Sequence, residues 1–221
     1  MIKNLIVTVI FAYLFHSPNS YAQENVNLCN GSSVVVAYTK IEDYQVVCDA
    51  AKDVIEIAKK IGLNEELNIY ISLVDQLKIN NTSKFLAFFN PNAMEIQVLS
   101  MEACKQAFGN KVVFDLEIDK KLYRSIIIHE LAHALFWQNK GNNFIAREIH
   151  EYFAYTIQLA LLDESYREQI ISSSNVPAFA DMSEISEEYY LLDPTRFAVK
   201  SYLHFISVKE SWPYLRSLFN E

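Results

Sequence analysis

An apolar stretch that carries two histidines and a glutamate constrains the fold of this chain more than any other feature. From Arg124 to Gln138 the sequence reads RSIIIHELAHALFWQ. Three consecutive isoleucines make the stretch apolar on more than one face of a helix, so we expect the helix to be buried within the domain. Buried imidazole and carboxylate groups are costly unless they have polar partners. The sequence therefore requires either that these groups satisfy one another or that a cation lies among them.

The spacing of the polar residues favours a metal site. His129 and His133 are four residues apart, so they project from one face of a helix with their Cβ atoms about 5–6 Å apart. Two imidazoles at that spacing can converge on one ion at about 2.0–2.1 Å. Glu130 lies roughly 100° further round the helix, where it can act as a general base on a water at the open side of the ion. The alternative is a pair of core histidines that bond to backbone or carboxylate groups.

Boundary signals indicate two helices in this region. Asp119 is a favourable N-cap for a helix that starts at Lys120, and Gly141 is a typical stop just beyond its last turn. A second helix is expected from about Phe144 to Leu162. The short connection of three residues between them predicts that the two helices are antiparallel neighbours.

The geometry of this helical hairpin nominates a third ligand, which a catalytic zinc with one open position needs. Counted outward from Asn142 at the centre of the turn, Glu151 lies level with His133. Glu148 falls about 4.5 Å nearer the turn. His150 faces about 100° away from Glu151, which favours a solvated or supporting role over direct ligation. The expected zinc ligands are therefore His129, His133 and Glu151.

The rest of the sequence predicts a single α+β domain over residues 23–221. Runs of alternating or β-branched residues and a helical period indicate the elements of the N-terminal half. These are strands over 33–39 and 67–74, a helix over 44–61, and a hairpin of 85–89 with 95–99. The second half is helical, with a loop over 172–182 and a last helix that begins near Asp193 and Pro194. We find no linker or internal repeat that divides the chain.

The first 22 residues have the features of a secretory signal peptide. Lys3 supplies the positive start, Leu5–Phe15 is an apolar run of suitable length, and Ser20-Tyr21-Ala22 offers a cleavage site. The run is too short for a comfortable membrane span, and an uncleaved anchor is the alternative. We expect an exported protein, periplasmic or secreted, without a stable membrane span after cleavage.

Charge and glycine content argue against several function classes. Without the first 22 residues the chain has 18 basic and 27 acidic side chains, a formal charge of −9. Such a balance disfavours nucleic acids and anionic membrane surfaces as partners. The four glycines are scattered along the chain, so no glycine-rich phosphate-binding loop is available.

Three cysteines, Cys29, Cys48 and Cys104, allow at most one disulfide within the chain. An exported compartment permits disulfides, and an odd count leaves at least one thiol unpaired within the chain. CxxC spacing is absent, which argues against a thiolate zinc site or a thioredoxin-like motif. A bridge between Cys29 and Cys48 is favoured, with Cys48–Cys104 as the alternative.

The motif HExxH followed by a glutamate on the next helix resembles the gluzincin zinc peptidases, the thermolysin-like group. The segment EYFAYTIQ, from Glu151 onward, resembles the third-ligand helix of peptidase-MA-like proteins. The combination of YRSIIIHELAHAL, HEYFAYTIQL and FAVKSYLHF is also similar to a family of small exported bacterial proteins of unknown function. This last similarity extends over most of the chain beyond the first 22 residues, and the zinc motif is its specific part.

The resemblance implies a zincin-like fold, with a small mixed sheet beside the HExxH helix. It also implies an edge strand that pairs with an extended substrate, and the 85–99 hairpin is the natural candidate, although an ordinary packed hairpin is equally compatible with the sequence. Gluzincins usually supply a tyrosine or histidine that stabilises the oxyanion. Candidates for this role are Tyr155, Tyr190 and His204. Tyr155 is preferred because it falls level with His129 by the same count.

These observations predict an exported zinc-dependent hydrolase, with a peptidase favoured. Its zinc would polarise the scissile carbonyl, and Glu130 would take a proton from water and pass it to the leaving amine. One alternative is a zinc-binding envelope protein without turnover, which a closed fourth ligand, His150 or Glu148, would favour. Another is a zinc amidohydrolase that acts on a non-peptide envelope substrate, which a cleft too narrow for a peptide would favour.

Overall fold

The computed structural model describes residues 24–77, 85–108 and 111–219. The expected signal peptide, residues 1–22, lies outside the described residues. A mixed sheet occupies the N-terminal half and helices form most of the second half, so the predicted α+β class is confirmed.

The sheet has five strands and contains both parallel and antiparallel strand pairs. The strands are β1 (Asn25–Leu28), β2 (Val34–Tyr38), β3 (Ile69–Val74), β4 (Ala87–Asn90) and β5 (Glu95–Leu99), in the spatial order β1-β2-β3-β5-β4. Strands β2, β3 and β5 run parallel, whereas β1 and β4 are antiparallel to their neighbours. The predicted hairpin is formed by β4 and β5, and β4 lies at the edge of this sheet. The small mixed sheet with a hairpin edge is therefore confirmed.

Helix α1 (Ile41–Lys60) provides the crossover that the parallel strands β2 and β3 require. Its buried side chains recur at helical spacing and include Val47, Ala51, Val54 and Ala58, as the sequence predicts. This stripe lets α1 pack against β2 on one side and against the HExxH helix on the other.

The HExxH helix, α3 (Lys120–Asn139), is the central helix of the fold. The Asp119 carboxylate accepts hydrogen bonds from the backbone N–H groups of Lys121 and Leu122, both at 2.9 Å, which is the N-cap arrangement that the sequence predicts. Most side chains of α3 are buried because it packs against α1, β4, β5 and helix α4 (Arg147–Leu161). The predicted burial of this helix is confirmed.

The remaining elements complete the described chain. They are helices α2 (Met101–Phe108), α5 (Glu164–Ser174), α6 (Glu187–Leu192), α7 (Pro194–Ser207) and α8 (Ser211–Ser217), a short 3₁₀ turn (Met182–Glu184), and a two-stranded ladder of β6 (Lys111–Val113) and β7 (Leu116–Glu117). Helix α7 begins at the predicted proline, is capped by Asp193, and packs along α4. Within the described part of the chain, no helix has both the length and the apolar content that crossing a membrane requires.

The connection between α3 and α4 is longer than predicted. Gly141 adopts a left-handed conformation with a φ of +61° after the end of α3, as expected, but α4 begins at Arg147 and not at Phe144. Ala146 has extended backbone, with a φ of −61° and a ψ of 148°, so the helix cannot start before it. Phe144 is 95% exposed, so it lies in a surface loop and does not pack against α3 as the first residue of the expected helix would. The residues before Arg147, which the sequence assigned to the second helix, therefore belong to the connecting loop.

Other boundaries also differ from the sequence prediction. Helix α1 begins three residues before the predicted Tyr44, and β3 begins two residues after Leu67. Helix α5 continues into the predicted loop of residues 172–182 and stops at Asn175, whose left-handed φ of +46° ends it. The sequence reading missed β1: its residues Asn-Val-Asn-Leu do alternate, but the strand is four residues long and all four residues are exposed.

The cysteines pair as the sequence favours. Cys29 and Cys48 form a disulfide with a Cα–Cα distance of 5.3 Å, which joins the β1–β2 turn to α1. Cys104 is a buried free thiol, and burial raises its pKa to about 12. The bridge therefore links the sheet to α1, and Cys104 is protonated at neutral pH.

We expect non-reducing peptide mapping to find Cys29 linked to Cys48, with Cys104 alkylated only after unfolding because it is buried and protonated. The double variant Cys29→Ser/Cys48→Ser should lose about 3 kcal/mol of unfolding free energy, since the bridge closes a loop with a sequence separation of 19 residues. Chemical denaturation of the two proteins measures the loss. Finding Cys104 in a bridge, or rapid alkylation of all three thiols in the folded protein, would contradict this assignment.

Candidate metal centre

Helices α3 and α4 bring two imidazoles and one carboxylate to a single point. His129 and His133 lie on the face of α3 that meets α4, and their Nε2 atoms are 3.1 Å apart. Glu151 of α4 places its Oε2 atom 3.6 Å from each of these nitrogens. Among the described residues, these are the side chains that are grouped closely enough to hold a metal ion together. The three predicted ligands therefore converge.

A metal ion fits this arrangement. Three ligands held at about 2.0–2.1 Å in tetrahedral geometry lie about 3.3–3.4 Å from one another, and the observed distances of 3.1 Å and 3.6 Å lie on either side of that value. The Oε2 atom of Glu151 is buried and has no hydrogen-bond partner among the described residues. A buried carboxylate oxygen without a partner is costly, and a cation between the three side chains would remove that cost.

The charges of the three groups also favour a cation. Burial raises the pKa of Glu151, but the two imidazoles outweigh burial, and its net pKa lies well below the ordinary range. Burial lowers the pKa of His133, but the adjacent Glu151 carboxylate raises it. The net pKa of His133 lies above its ordinary value. The site therefore contains an ionised carboxylate, whose negative charge favours a cation beside it.

Neither alternative residue on α4 joins this group. Glu148 lies one turn nearer the N-terminus of the helix and is outside the three-residue cluster. His150 instead packs its ring against Phe136 at 4.3 Å and Trp137 at 6.4 Å between centroids. Burial lowers the pKa of His150 to about 4, so it is neutral at physiological pH.

Glu151 occupies its predicted place even though the turn differs from the prediction. With α4 beginning at Arg147, the centre of the connection moves from Asn142 to Asn143. His133 then lies ten residues before the centre and Glu151 eight after it, so the two are no longer level by count. The discrepancy remains smaller than the three residues that separate Glu151 from Glu148.

Glu130 lies beside the cluster but is not part of it, as the helical angle predicts. Its side chain is buried at the wall of the cleft, and burial raises its pKa. Its carboxyl group accepts a hydrogen bond from the backbone N–H of Phe89 on the edge strand β4. The edge strand therefore helps to hold this carboxyl group in position next to the cluster of His129, His133 and Glu151.

The three candidates for an oxyanion-stabilising residue lie in different places. The ring of Tyr155 is 4.5 Å from that of His129, and Tyr190 is 6.4 Å from Tyr155; both line the cleft. Burial raises the pKa of Tyr155 well above its ordinary value and that of Tyr190 to about 12, so both hydroxyls are protonated. Nδ1 of His204 forms a 2.8 Å hydrogen bond with the hydroxyl of Tyr152. His204 is not among the described residues that line the cleft.

The cluster opens into a cleft of about 850 Å³ between β4, α3 and α4. Its walls are rich in aromatic and aliphatic side chains, and Arg147 at the start of α4 is the cationic side chain, apart from histidines, that lines it. The aromatic lining residues are Phe85, Phe88, Phe89, Phe114, Trp137, Phe144, Tyr155 and Tyr190. A mostly apolar cleft with a few convergent polar groups is the usual form of a ligand-binding site.

Sequence reasoning missed Gln158, which contacts a predicted ligand directly. Its Oε1 atom is 3.1 Å from Nδ1 of His129. Gln158 follows Glu151 by seven residues, two turns of α4, so the two side chains face α3 together. That spacing is the signal in the sequence, but a neutral amide among apolar residues has no motif of its own.

Comparison with known proteins gives one match. Residues 34–221 match the family described as "Family of unknown function (DUF6639)". No curated protein and no solved structure matches the chain significantly.

We expect the purified protein, supplied with zinc and passed through a desalting column, to retain about one zinc ion per chain. His129→Ala and Glu151→Gln should each lose most of this binding, because each removes one of three convergent ligands. Elemental analysis gives the stoichiometry, and competition with a chromophoric chelator gives the affinity.

Glu148→Gln is the matched control for Glu151→Gln, since it makes the same chemical change one turn away on the same helix. It should retain the wild-type affinity. A protein that takes up no zinc, or a loss in Glu148→Gln without a loss in Glu151→Gln, would show that the ligand set is wrong.

Proposed function

We propose that this chain, which belongs to the DUF6639 family of unknown function, is an exported zinc-dependent hydrolase that cleaves peptide bonds. The observation that carries this proposal is the placement of Glu130 next to the cluster of His129, His133 and Glu151, at the wall of one cleft. A metal site that served stability alone would not need a buried carboxyl group beside an open cleft. We further propose a zincin-like arrangement, with the sheet edge beside the HExxH helix.

The donor set favours zinc among the divalent metals. Two imidazoles and one carboxylate are a common ligand set of catalytic zinc sites, and a set of three protein ligands keeps one position open. A zinc ion bound there supplies a Lewis acid, which lowers the pKa of water and polarises a carbonyl group. His150, the nearest further imidazole on α4, packs against aromatic rings, so it does not provide a closing fourth ligand.

Glu130 is the proposed general base. Its carboxylate accepts the proton of the attacking water and later delivers it to the leaving amine. Burial raises the pKa of Glu130, whereas the Phe89 N–H lowers it by stabilising the ionised form. A raised pKa makes this carboxylate a stronger base than an exposed glutamate, which is the direction that a general base requires.

Tyr155 is the proposed donor to the oxyanion. Its ring lies against His129, which places it beside the cluster, and its hydroxyl is protonated because burial raises its pKa. A protonated phenol that faces the site can donate a hydrogen bond to a developing negative charge. Tyr190 lies on the same wall and is the second candidate for this role.

No strand among the described residues pairs with the outer edge of β4, and this edge supports a peptide as the substrate. Leu99 donates its backbone N–H to Leu86 O at 2.9 Å, and the antiparallel register pairs Ala87 with Val98. Because hydrogen-bonded and non-bonded pairs alternate, the backbone groups of Ala87 and Phe89 point away from β5. The Phe89 N–H bonds to Glu130, which leaves the polar groups of Ala87 and the carbonyl of Phe89 for an extended peptide.

Two observations support export of the protein. The first 22 residues combine a lysine, an apolar run and a small-residue site, in the order of a signal peptide. The Cys29–Cys48 bridge is compatible with an oxidising compartment. We therefore propose that the enzyme acts in the periplasm or outside the cell.

We expect Glu130→Gln to bind zinc with nearly wild-type affinity and to lose hydrolysis, because glutamine keeps the shape of glutamate and has no basicity. The probe is a complex mixture of tryptic peptides, incubated with each protein, in which mass spectrometry counts new peptide termini. A general base typically contributes about 10²–10⁴-fold to the rate, so the count should fall close to that of a zinc-free blank.

Glu148→Gln, which changes a glutamate on α4 outside the cluster, should cleave the mixture as the wild type does. Equal cleavage by Glu130→Gln and wild type would show that Glu130 is not the base. A zinc-loaded wild type that releases no new termini would contradict the peptidase assignment and favour a non-peptide substrate.

A further inference from the structure

We propose that Gln158 is a positioning residue that fixes the tautomer of His129, through a hydrogen-bond chain anchored on the backbone of α3. The chain runs from the carbonyl of Leu122 through Ser125 and Gln158 to His129, and its result is an unprotonated Nε2 atom that faces Glu151. The functional meaning of this chain rests on the proposed metal site. The hydrogen-bond chain itself is present in the protein without metal and can be tested separately.

The hydrogen-bond chain begins at the Leu122 carbonyl, which can only accept a hydrogen bond. The hydroxyl of Ser125 lies 2.8 Å from the backbone carbonyl oxygen of Leu122, in a buried position. Two oxygen atoms at that distance repel each other unless a proton lies between them. The carbonyl has no proton, so Ser125 must donate its only hydroxyl proton to Leu122. The Ser125 oxygen is then available to its other neighbours only as an acceptor.

This requirement sets the orientation of the Gln158 amide. One end of the amide lies 3.3 Å from the Ser125 oxygen, and only the NH₂ end can donate to an oxygen that has no proton left to give. The carbonyl end, Oε1, must then face His129, 3.1 Å from its Nδ1 atom. The reverse orientation would place a carbonyl oxygen against an acceptor and an NH₂ group against the ring.

The orientation of the amide in turn sets the tautomer of His129. An amide oxygen can only accept, so Nδ1 of His129 must carry the proton. The neutral imidazole then has its lone pair on Nε2, and this is the atom that lies 3.6 Å from Glu151 Oε2 and 3.1 Å from His133 Nε2. A metal ion needs that lone pair, and the partner of the other ring nitrogen commonly selects it.

Burial makes the chain difficult to rearrange. Ser125 is 1% exposed and Gln158 is 3% exposed, so water cannot replace a lost partner at low cost. An unsatisfied buried polar group costs about 1–3 kcal/mol. Because the anchor is a backbone carbonyl of α3, the same helix that supplies both histidines also determines which nitrogen of His129 is free. Gln158 supports the ligand without a second carboxylate, so it adds no negative charge to the site.

The test combines a spectroscopic measurement with a binding measurement. Long-range ¹H–¹⁵N spectra of zinc-free protein with ¹⁵N-labelled histidine report the tautomer of each ring. We expect His129 of the wild type to have its proton on Nδ1. Gln158→Met removes both the acceptor and the donor at similar volume, so His129 should shift toward the Nε2-protonated form and the zinc affinity should fall about 10- to 100-fold.

Three further variants separate positioning from general destabilisation. Gln158→Glu retains an oxygen acceptor for Nδ1–H and should keep most of the zinc affinity and the wild-type tautomer. Ser125→Ala removes the group that orients the amide and should shift the tautomer partly. Thr156→Val replaces another fully buried polar side chain on α4 at nearly constant volume. It should leave both the tautomer and the zinc affinity unchanged.

A wild-type His129 with its proton on Nε2 would overturn the inference, as would a Gln158→Met variant whose tautomer and zinc affinity match those of Thr156→Val. Failure of the proposed function gives a different result. In that case the wild type would bind no zinc, while the zinc-free spectra would still show whether Gln158 sets the tautomer.

Discussion

The contact between one carboxylate and two imidazoles, made where α3 crosses α4, is the interaction on which the candidate site depends. Glu151 Oε2 is buried, lies 3.6 Å from each imidazole Nε2, and has no hydrogen-bond partner in the part of the chain that the structure describes. Such a group is costly in a protein interior, and the fold brings it there through the packing of two long helices. The proposed base Glu130 and the amide of Gln158 both lie beside this point.

The parts of the site that local helical geometry determines could be predicted from the sequence. His129, Glu130 and His133 share one helix, and the angle per residue alone separates ligands from base. Glu151 required an assumption about the connection between two helices, and that assumption was inaccurate, because the segment before Arg147 is extended and not helical. Glu151 still lies beside the two histidines, because an error of one residue at the centre of the turn is smaller than one helical turn.

The parts that depend on contacts between distant residues could not be predicted in the same way. Gln158 reaches His129 across 29 residues, and Phe89 reaches Glu130 from the sheet edge. The spacing from Glu151 places Gln158 on the same face of α4, but no sequence pattern pairs Gln158 with His129 or Phe89 with Glu130. Strand β1 alternates over only four exposed residues, and its pairing at the edge of the sheet is a tertiary property. The hairpin of β4 and β5 was predictable because its turn and its alternating residues are local, but its position against the HExxH helix is a tertiary property.

The most direct test of the account is anomalous diffraction from crystals of the zinc-loaded protein, with data collected on both sides of the zinc absorption edge. The account predicts one anomalous peak at about 2.0–2.2 Å from Nε2 of His129, Nε2 of His133 and a carboxylate oxygen of Glu151, on the side that faces the cleft. An empty cluster in zinc-loaded crystals, or a zinc ion held by other residues, would contradict it.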